Sequence, residues 1–312
     1  CGIYLNEKKW KKGALYVDDC LMAVNNNAPS KYVFPTKIPT RVIACGAFAH
    51  NTKVRLIQLP ATIAEIPNAL FYKCEALEEV TVPANITKVG MYAFYECGKL
   101  RKALLPESIT EIGAGAFYGC VNLREQHLSE NITNIPKGCF LGCRSIKNIT
   151  LPSRLVLLDD GAFAGCTELE AITLPGTLKE LGENAFTSCV KLTSISIPEG
   201  INMIPKGAFA ECSHLRTVKL PEGLYAIDDE AFMRCLMLYN INFPLSTFRI
   251  GVHAFLNCQD LEHINLNEGI HGIEKGAFKD CIHLFEMTLP DNVEHLGENA
   301  FAGCINLRKL YL

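Results

Sequence analysis

Residues 185–204 read AFTSCVKLTSISIPEGINMI, and how this stretch is read decides the fold. Ile195 and Ile197 stand two apart, the strand period, and β-branched residues suit a pleated surface, so a short strand is expected here. Pro198 has no N–H to give to a ladder and ends it. Upstream, Ala185, Phe186 and Cys189 place apolar side chains about one helical turn apart, which predicts a turn of 3-10 or α-helix.

The stretch is one copy of many. Cys74, Cys97, Cys120, Cys143, Cys166, Cys189, Cys212, Cys235, Cys258, Cys281 and Cys304 are each 23 residues apart, and each lies three residues after a phenylalanine. Those phenylalanines begin one repeat earlier: Phe48, Phe71, Phe94, Phe117, Phe140, Phe163, Phe186, Phe209, Phe232, Phe255, Phe278 and Phe301 define twelve repeats, and Asn51 takes the cysteine position in the first. The proline recurs at Pro60, Pro83, Pro106, Pro152, Pro175, Pro198, Pro221, Pro244 and Pro290, with Ser129 and Asn267 as weaker terminators. A fixed period of this length marks a solenoid. No single repeat can bury its own apolar positions, but stacking lays Phe on Phe and Ile on Ile into one continuous core. Neighbouring strands then run parallel, about 4.8 Å apart.

The pattern A-F-x-x-C-x-x-L-x-x-I-x-L-P resembles the BspA-type leucine-rich repeat over residues 41–312. The resemblance implies an α/β repeat: a right-handed solenoid with a concave parallel β-sheet and short helical or 3-10 turns. It also implies attachment or protein binding at a bacterial cell surface or outside the cell, and offers no catalytic residue to carry over. Departures are few. Leu70 and Cys139 replace the alanine before Phe, Ala103 and Gln126 replace the strand isoleucine, and Phe243 replaces a strand leucine.

Residues 1–40 lack the repeat, yet ALYVDD, CLMAV and SKYVF read as short strands around the turn-forming NNNAPS, so a small N-terminal β cap is expected before the solenoid of 41–312. Trp10, Tyr16, Leu21 and Val24 would supply its apolar area. The last residues, KLYL, fall on the strand of the twelfth repeat. An open apolar edge there predicts a longer parent protein, or contact with a partner through that end. Cys1-Gly2 fits either a lipid-modified first residue, with lipid or wall anchoring in the parent, or a mere boundary.

With 312 residues, 49% apolar and 20% charged, disorder is excluded. Lys and Arg number 30 against 33 Asp and Glu, and no long basic run could hold a phosphate backbone, so nucleic acid is not an expected partner. No apolar stretch approaches the roughly 18 residues of a membrane span.

The laddered cysteines share one inward slot and are expected as buried reduced thiols. Their number is odd and C-x-x-C spacing is absent. Cys20 and Cys45 are the one pair to consider for a bridge. His253, His263, His271, His283 and His295 crowd the last repeats but occupy different registers, so no metal site is expected. Asp159-Asp160 and Asp228-Asp229 sit before the predicted helical turn, where carboxylates cap amides. The sequon asparagines Asn85 and Asn131 fall two after the strand terminator, where the resemblance to leucine-rich repeats implies an amide turned inward to bond loop backbone. No nucleophile motif or phosphate loop occurs, so neither enzyme activity nor a cofactor is expected.

Function is expected on the outward strand positions, eight and ten residues after each Phe, and on the rim one residue before them. From the fourth repeat the floor reads Glu125 and His127, Asn148 and Thr150, Ala171 and Thr173, Ser194 and Ser196, Thr217 and Lys219, Asn240 and Asn242, His263 and Asn265, Glu286 and Thr288; the rim carries Arg101, Arg124 and Lys147, then Tyr239 and Phe285. Small polar groups can hydrogen-bond a peptide or a glycan, and Arg and Tyr are the types that anchor interfaces. The expected role is a recognition or adhesion scaffold for a protein or surface glycan. The alternative is a spacer that holds another domain away from the cell.

Overall fold

A computed structural model describes residues 10–37, 39–124 and 126–311. Cys1 and Glu125 lie outside them. The chain forms two compact units, Cys1–Pro152 and Ser153–Leu312, and each winds as a parallel β-solenoid built from the 23-residue repeat.

The repeats contribute strands to two sets of parallel ladders. In the first unit the strands Lys31–Tyr32, Leu56–Gln58 and Glu79–Thr81 pair in parallel, with Ile57 opposite Val80, and a bridge continues from Glu79 to Lys102. A second ladder joins Glu65–Ile66, Lys88–Val89 and Glu111–Ile112. In the second unit Ser194–Ser196 pairs with Thr217–Lys219, Asn240–Asn242 with His263–Asn265, and Glu286–Thr288 with Lys309–Tyr311. There the other ladder runs from Met203–Ile204 through Ala226–Ile227, Arg249–Ile250 and Gly272–Ile273 to His295–Leu296. The second ladder comes from the I-x-x-I after the proline, a spacing that does not betray a strand.

The helical turns expected around A-F-x-x-C are absent: among the described residues there is no helix, only successive turns. The cause is backbone handedness. The residues two before and two after each Phe hold positive φ, as at Asn184 (55°) and Ser188 (59°) around Phe186, and a left-handed residue on either side stops a right-handed helix. Turns close instead by three-residue bonds, Thr187 N to Asn184 O (3.1 Å) and Cys189 N to Phe186 O (3.1 Å). The intervening amides point to the next repeat: Asn184 N to Lys206 O (2.9 Å), Phe186 N to Ala208 O (2.8 Å), Ser188 N to Ala210 O (2.8 Å). The carboxylates expected to cap a helix serve this same inter-repeat bonding. Asp160 Oδ1 accepts from Glu183 N (3.0 Å) and Asp229 Oδ1 from Val252 N (2.8 Å).

The core is a column of stacked rings. In the first unit Phe48, Phe71, Phe94, Phe117 and Phe140 are wholly buried, with neighbouring centroids 5.0–5.4 Å apart, and Tyr32 lies edge-on to Phe48 at 5.0 Å. In the second unit the column runs from Phe163 to Phe301 at 5.2–5.7 Å. Beside it run the thiols. Within each unit the S–H groups donate to the carbonyl of the phenylalanine 26 residues earlier, as in Cys97 to Phe71 (3.0 Å) and Cys235 to Phe209 (3.2 Å). In the first repeat Asn51 fills this role, giving its amide to Asn25 O at 2.9 Å. Burial pushes the Cys74 and Cys212 thiols up to about 12, because removal from water disfavours the thiolate. Cys20 and Cys45 are both reduced thiols rather than a bridge, and Cys45 is exposed.

The two replacements of the strand-ending proline bond back to the preceding repeat, Ser129 Oγ to Glu107 O (2.8 Å) and Asn267 Nδ2 to Phe243 O (2.6 Å). Residues 10–37 pair with the repeats that follow: Cys20–Val24 lies parallel to Val42–Ile43, and Lys31–Tyr32 to the Leu56–Gln58 strand. Leu21 and Val24 are buried, Trp10 and Tyr16 half-buried.

One departure from the repeat leaves a measurable defect. Gln126, 8% exposed in a slot where most repeats carry Ile or Val, keeps its side-chain oxygen buried with no hydrogen-bond partner among the described residues. An unsatisfied buried polar atom costs about 1–3 kcal/mol. Gln126→Ile is therefore expected to raise the melting temperature by a few degrees in a calorimetric scan; an unchanged or lower value would show that the amide is satisfied in solution.

Candidate functional site

The three-residue strands alternate sharply. Ile195, Ile241 and Ile264 point into the core, while Ser194, Ser196, Asn240, Asn242, His263 and Asn265 on either side of them are exposed. The pleat thus frees a polar strip along each ladder. Every described residue expected to carry function, rim and floor alike, is exposed.

In the first unit Arg101, Arg124 and Lys147 occupy one register on successive repeats, and Arg101 N bonds Glu78 O at 2.9 Å. Among the described residues neither Arg101 nor Arg124 forms an ion pair. Arg55 takes up Glu78 through two bonds of 2.9 Å, and that charge-assisted contact holds the Glu78 carboxyl below its usual range. Asn148 is exposed on the next strand position. Its side-chain amide makes no bond among the described residues, unlike the two sequon asparagines in the loop register. Asn85 gives its amide to Ile63 O (2.6 Å) and Asn131 to Glu107 O (2.8 Å). Ser108, Thr177 and Ser246 occupy the same loop register and donate likewise, to Ile86 O (2.5 Å), Leu155 O (2.7 Å) and Leu224 O (2.8 Å).

The second unit gathers the expected floor most tightly. Asn240 stands opposite His263, and Asn242 opposite Asn265. None of the three asparagine amides is spent on another protein group among the described residues. The Tyr239 ring meets His263 edge-on at 5.7 Å, and the nearby Glu262 carboxylate raises the proton affinity of its hydroxyl. Phe285 lies farther along the same rim with the Arg308 guanidinium 5.7 Å from its ring centre. Ser194 and Ser196 open onto a shallow depression of about 640 Å³ that Thr173, Glu199 and Lys219 also line. The arrangement offers amides, hydroxyls and ring edges to a ligand. The rim arginines and Asn148 belong to the other unit.

Aromatic columns outside the strand face are not evident from the strand and core spacings. Tyr72, Tyr95 and Tyr118 stack at 4.8 and 4.6 Å in the first unit. Tyr225, Phe248 and His271 stack at 5.5 and 4.7 Å in the second. A signal for them exists, since each set repeats at 23 residues in a position that otherwise varies.

A family model described as the BspA type leucine rich repeat region matches in six copies, over residues 41–160, 133–262 and 225–312. No curated protein sequence matches the chain. Among solved structures, the chain is similar to a leucine-rich repeat protein from Bacteroides ovatus, with 27% identity over 87% of this chain and 84% of that one, at a TM-score of 0.59. A leucine rich cell surface protein from Faecalibacterium prausnitzii is similar at 26% identity over 97% of this chain and 93% of that one, with a TM-score of 0.64. A leucine-rich repeat protein from Eubacterium ventriosum shares the fold, at 18% identity over 93% and 92% of the two chains and a TM-score of 0.60.

Proposed function

The chain belongs to the BspA type leucine rich repeat family, a family of repeat scaffolds rather than catalysts, and from that membership we propose that it is an adhesion or recognition protein. It works at a bacterial cell surface or outside the cell and binds a protein or a surface glycan. Residues 1–40 serve as the cap of the repeats that follow. The observation that carries the reading is the cluster of Asn240, Asn242, His263 and Asn265, exposed on two paired strands, with Tyr239 exposed just before the first of them. The similarity to the cell surface protein of Faecalibacterium prausnitzii supports the location.

Such a floor suits a ligand with closely spaced hydroxyl or amide groups. Exposed amides give up bulk water at little cost, and Tyr239 adds a large, stiff contact surface. Removing a central anchor of this kind typically costs about 2 kcal/mol or more, near 30-fold in affinity. The double variant Tyr239→Ala with Asn242→Ala is expected to lower affinity by at least that factor for whatever glycan or cell-surface protein the parent retains on an array or in a pull-down. Its melting temperature should stay within a degree or two, because both side chains are exposed. Undiminished binding would remove this face as the site and leave the spacer reading.

A further inference from the structure

We propose that the cavity beside the N-terminal hairpin binds a small amphiphilic anion, with an apolar body and a carboxylate, sulfate or phosphate head. The cavity holds about 570 Å³, within the roughly 300–1,000 Å³ of ordinary small-ligand sites. It lies in the first unit, between the strands Trp10–Lys11 and Ala14–Val17 and the segment running from Lys31 to Lys37. None of its lining residues belongs to the Tyr239–Asn265 cluster proposed above.

Two features set its chemistry. The walls are apolar, from Ala14, Pro29, Val33 and Pro35 with the ring of Tyr32. Around them stand Lys11, Lys12, Lys31 and Lys37, against the single carboxylate of Asp18. Among the described residues none of these lysines is paired with a carboxylate. A neutral apolar ligand would leave four ammonium groups unused, and a bare inorganic anion would leave the walls in water. An amphiphilic anion satisfies both.

The site is also held in shape. Tyr32 is buried and packs edge-on against Phe48 at 5.0 Å, which ties one wall to the core. The Tyr16 hydroxyl, 3.1 Å from Thr40 Oγ1 and 3.4 Å from the Tyr32 hydroxyl, fixes another side. The hairpin turn at Lys12 and Gly13 has positive φ at both residues, 48° and 79°. It presses so closely on Ala28 that a Cβ on Gly13 would come within 2.2 Å of the Ala28 nitrogen. Lys11 and Lys12 thus line the cavity from a pinned turn.

The test is a fluorescence titration of the full chain with anilinonaphthalene sulfonate, alongside the neutral probe N-phenyl-naphthylamine. We expect saturable binding of the sulfonate, displaced by dodecanoate and not by inorganic phosphate. Lys31→Gln with Lys37→Gln should weaken it at least about tenfold, and raising salt from about 0.05 to 0.5 M should weaken the parent by a larger factor than that variant, which keeps only Lys11 and Lys12. Val33→Asp, at a residue 69% exposed and so outside the core, should abolish displacement by dodecanoate without changing the melting temperature. Co-sedimentation with phosphatidylglycerol vesicles, lost in the double lysine variant, would assign a membrane-borne amphiphile; dodecanoate binding without it assigns a free one. The proposal fails if the neutral probe binds as tightly as the sulfonate, if phosphate displaces as well as dodecanoate, or if neither lysine nor Val33 changes matter. The Tyr239 and Asn242 variant should leave all of these readings unchanged, so the two sites stand or fall separately.

Discussion

Above about pH 8.5, under reducing conditions, the protein is expected to lose stability steeply as the pH rises, because the buried thiols cannot ionise in place. An exposed thiol ionises near pH 8.5. Burial raises the proton affinity of Cys74, Cys97, Cys120, Cys189, Cys212, Cys235, Cys258 and Cys281, to about 12 at Cys74 and Cys212. The folded state therefore binds these protons more tightly than the unfolded chain. The stability this contributes is whole below about pH 8.5 and is lost as the pH climbs toward the folded values. At pH 10 the loss is about 2 kcal/mol for a thiol raised to about 12, so several such thiols in one unit take a large share of the roughly 5–15 kcal/mol that holds a typical domain. The second unit carries more of them than the first and should give way at lower pH. Circular dichroism against pH, with reductant present, reads the effect, and Cys212→Ala should make the transition less steep by one proton. A fold that persists unchanged at pH 11 would mean that the column is not dry.

The largest effect of a single substitution is expected at the centre of the ring column. Phe209 is fully buried and stacked on Phe186 at 5.5 Å and on Phe232 at 5.4 Å. Truncation to alanine removes the buried ring and leaves a cavity between two aromatic faces that cannot close without moving both repeats. The cost for such a change is about 3–5 kcal/mol, which corresponds to a fall of roughly 10 °C in melting temperature. Stability in a stack of repeats is a sum over neighbours. Phe301, half-buried and touching one ring of the column, Phe278 at 5.6 Å, should therefore lose less than half as much on the same change. Equal losses at the two positions would show that the unit does not behave as a nearest-neighbour stack.

Much of the fold is legible in the residues because like side chains recur at one spacing. Phe186, Cys189 and Ile195 each have to lie on copies of themselves, so burial of the ring and thiol columns and exposure of Ser194 and Ser196 follow from the repeat alone. The turn is not the helix that apolar spacing suggests, although glycine already marks it. Gly207, Gly119 and Gly142 sit two residues from a phenylalanine with φ of 60°, 68° and 72°, and a spacing rule that counts only apolar residues overlooks them. The ladder through Met203–Ile204 and its neighbours is hidden for a related reason: two residues are too few to show a period.

The floor around Asn240 and Asn242 emerges by elimination, as the positions the repeat leaves free. The N-terminal cavity cannot be found that way. Its lysines come from a hairpin turn, a strand and a loop that share no spacing, and only the folded chain sets Lys11 beside Lys31.

The amino-acid order by itself determined the repeat, its core columns and the strip that faces water, because a strict period forces each position to meet its own copy. Tertiary structure alone decided which backbone groups bond within a repeat and which reach the next, since that turns on the sign of φ at two positions per repeat. It alone also decided where unrelated segments converge to enclose a charged, apolar-walled cavity, because such convergence depends on distances in space that no interval along the chain records.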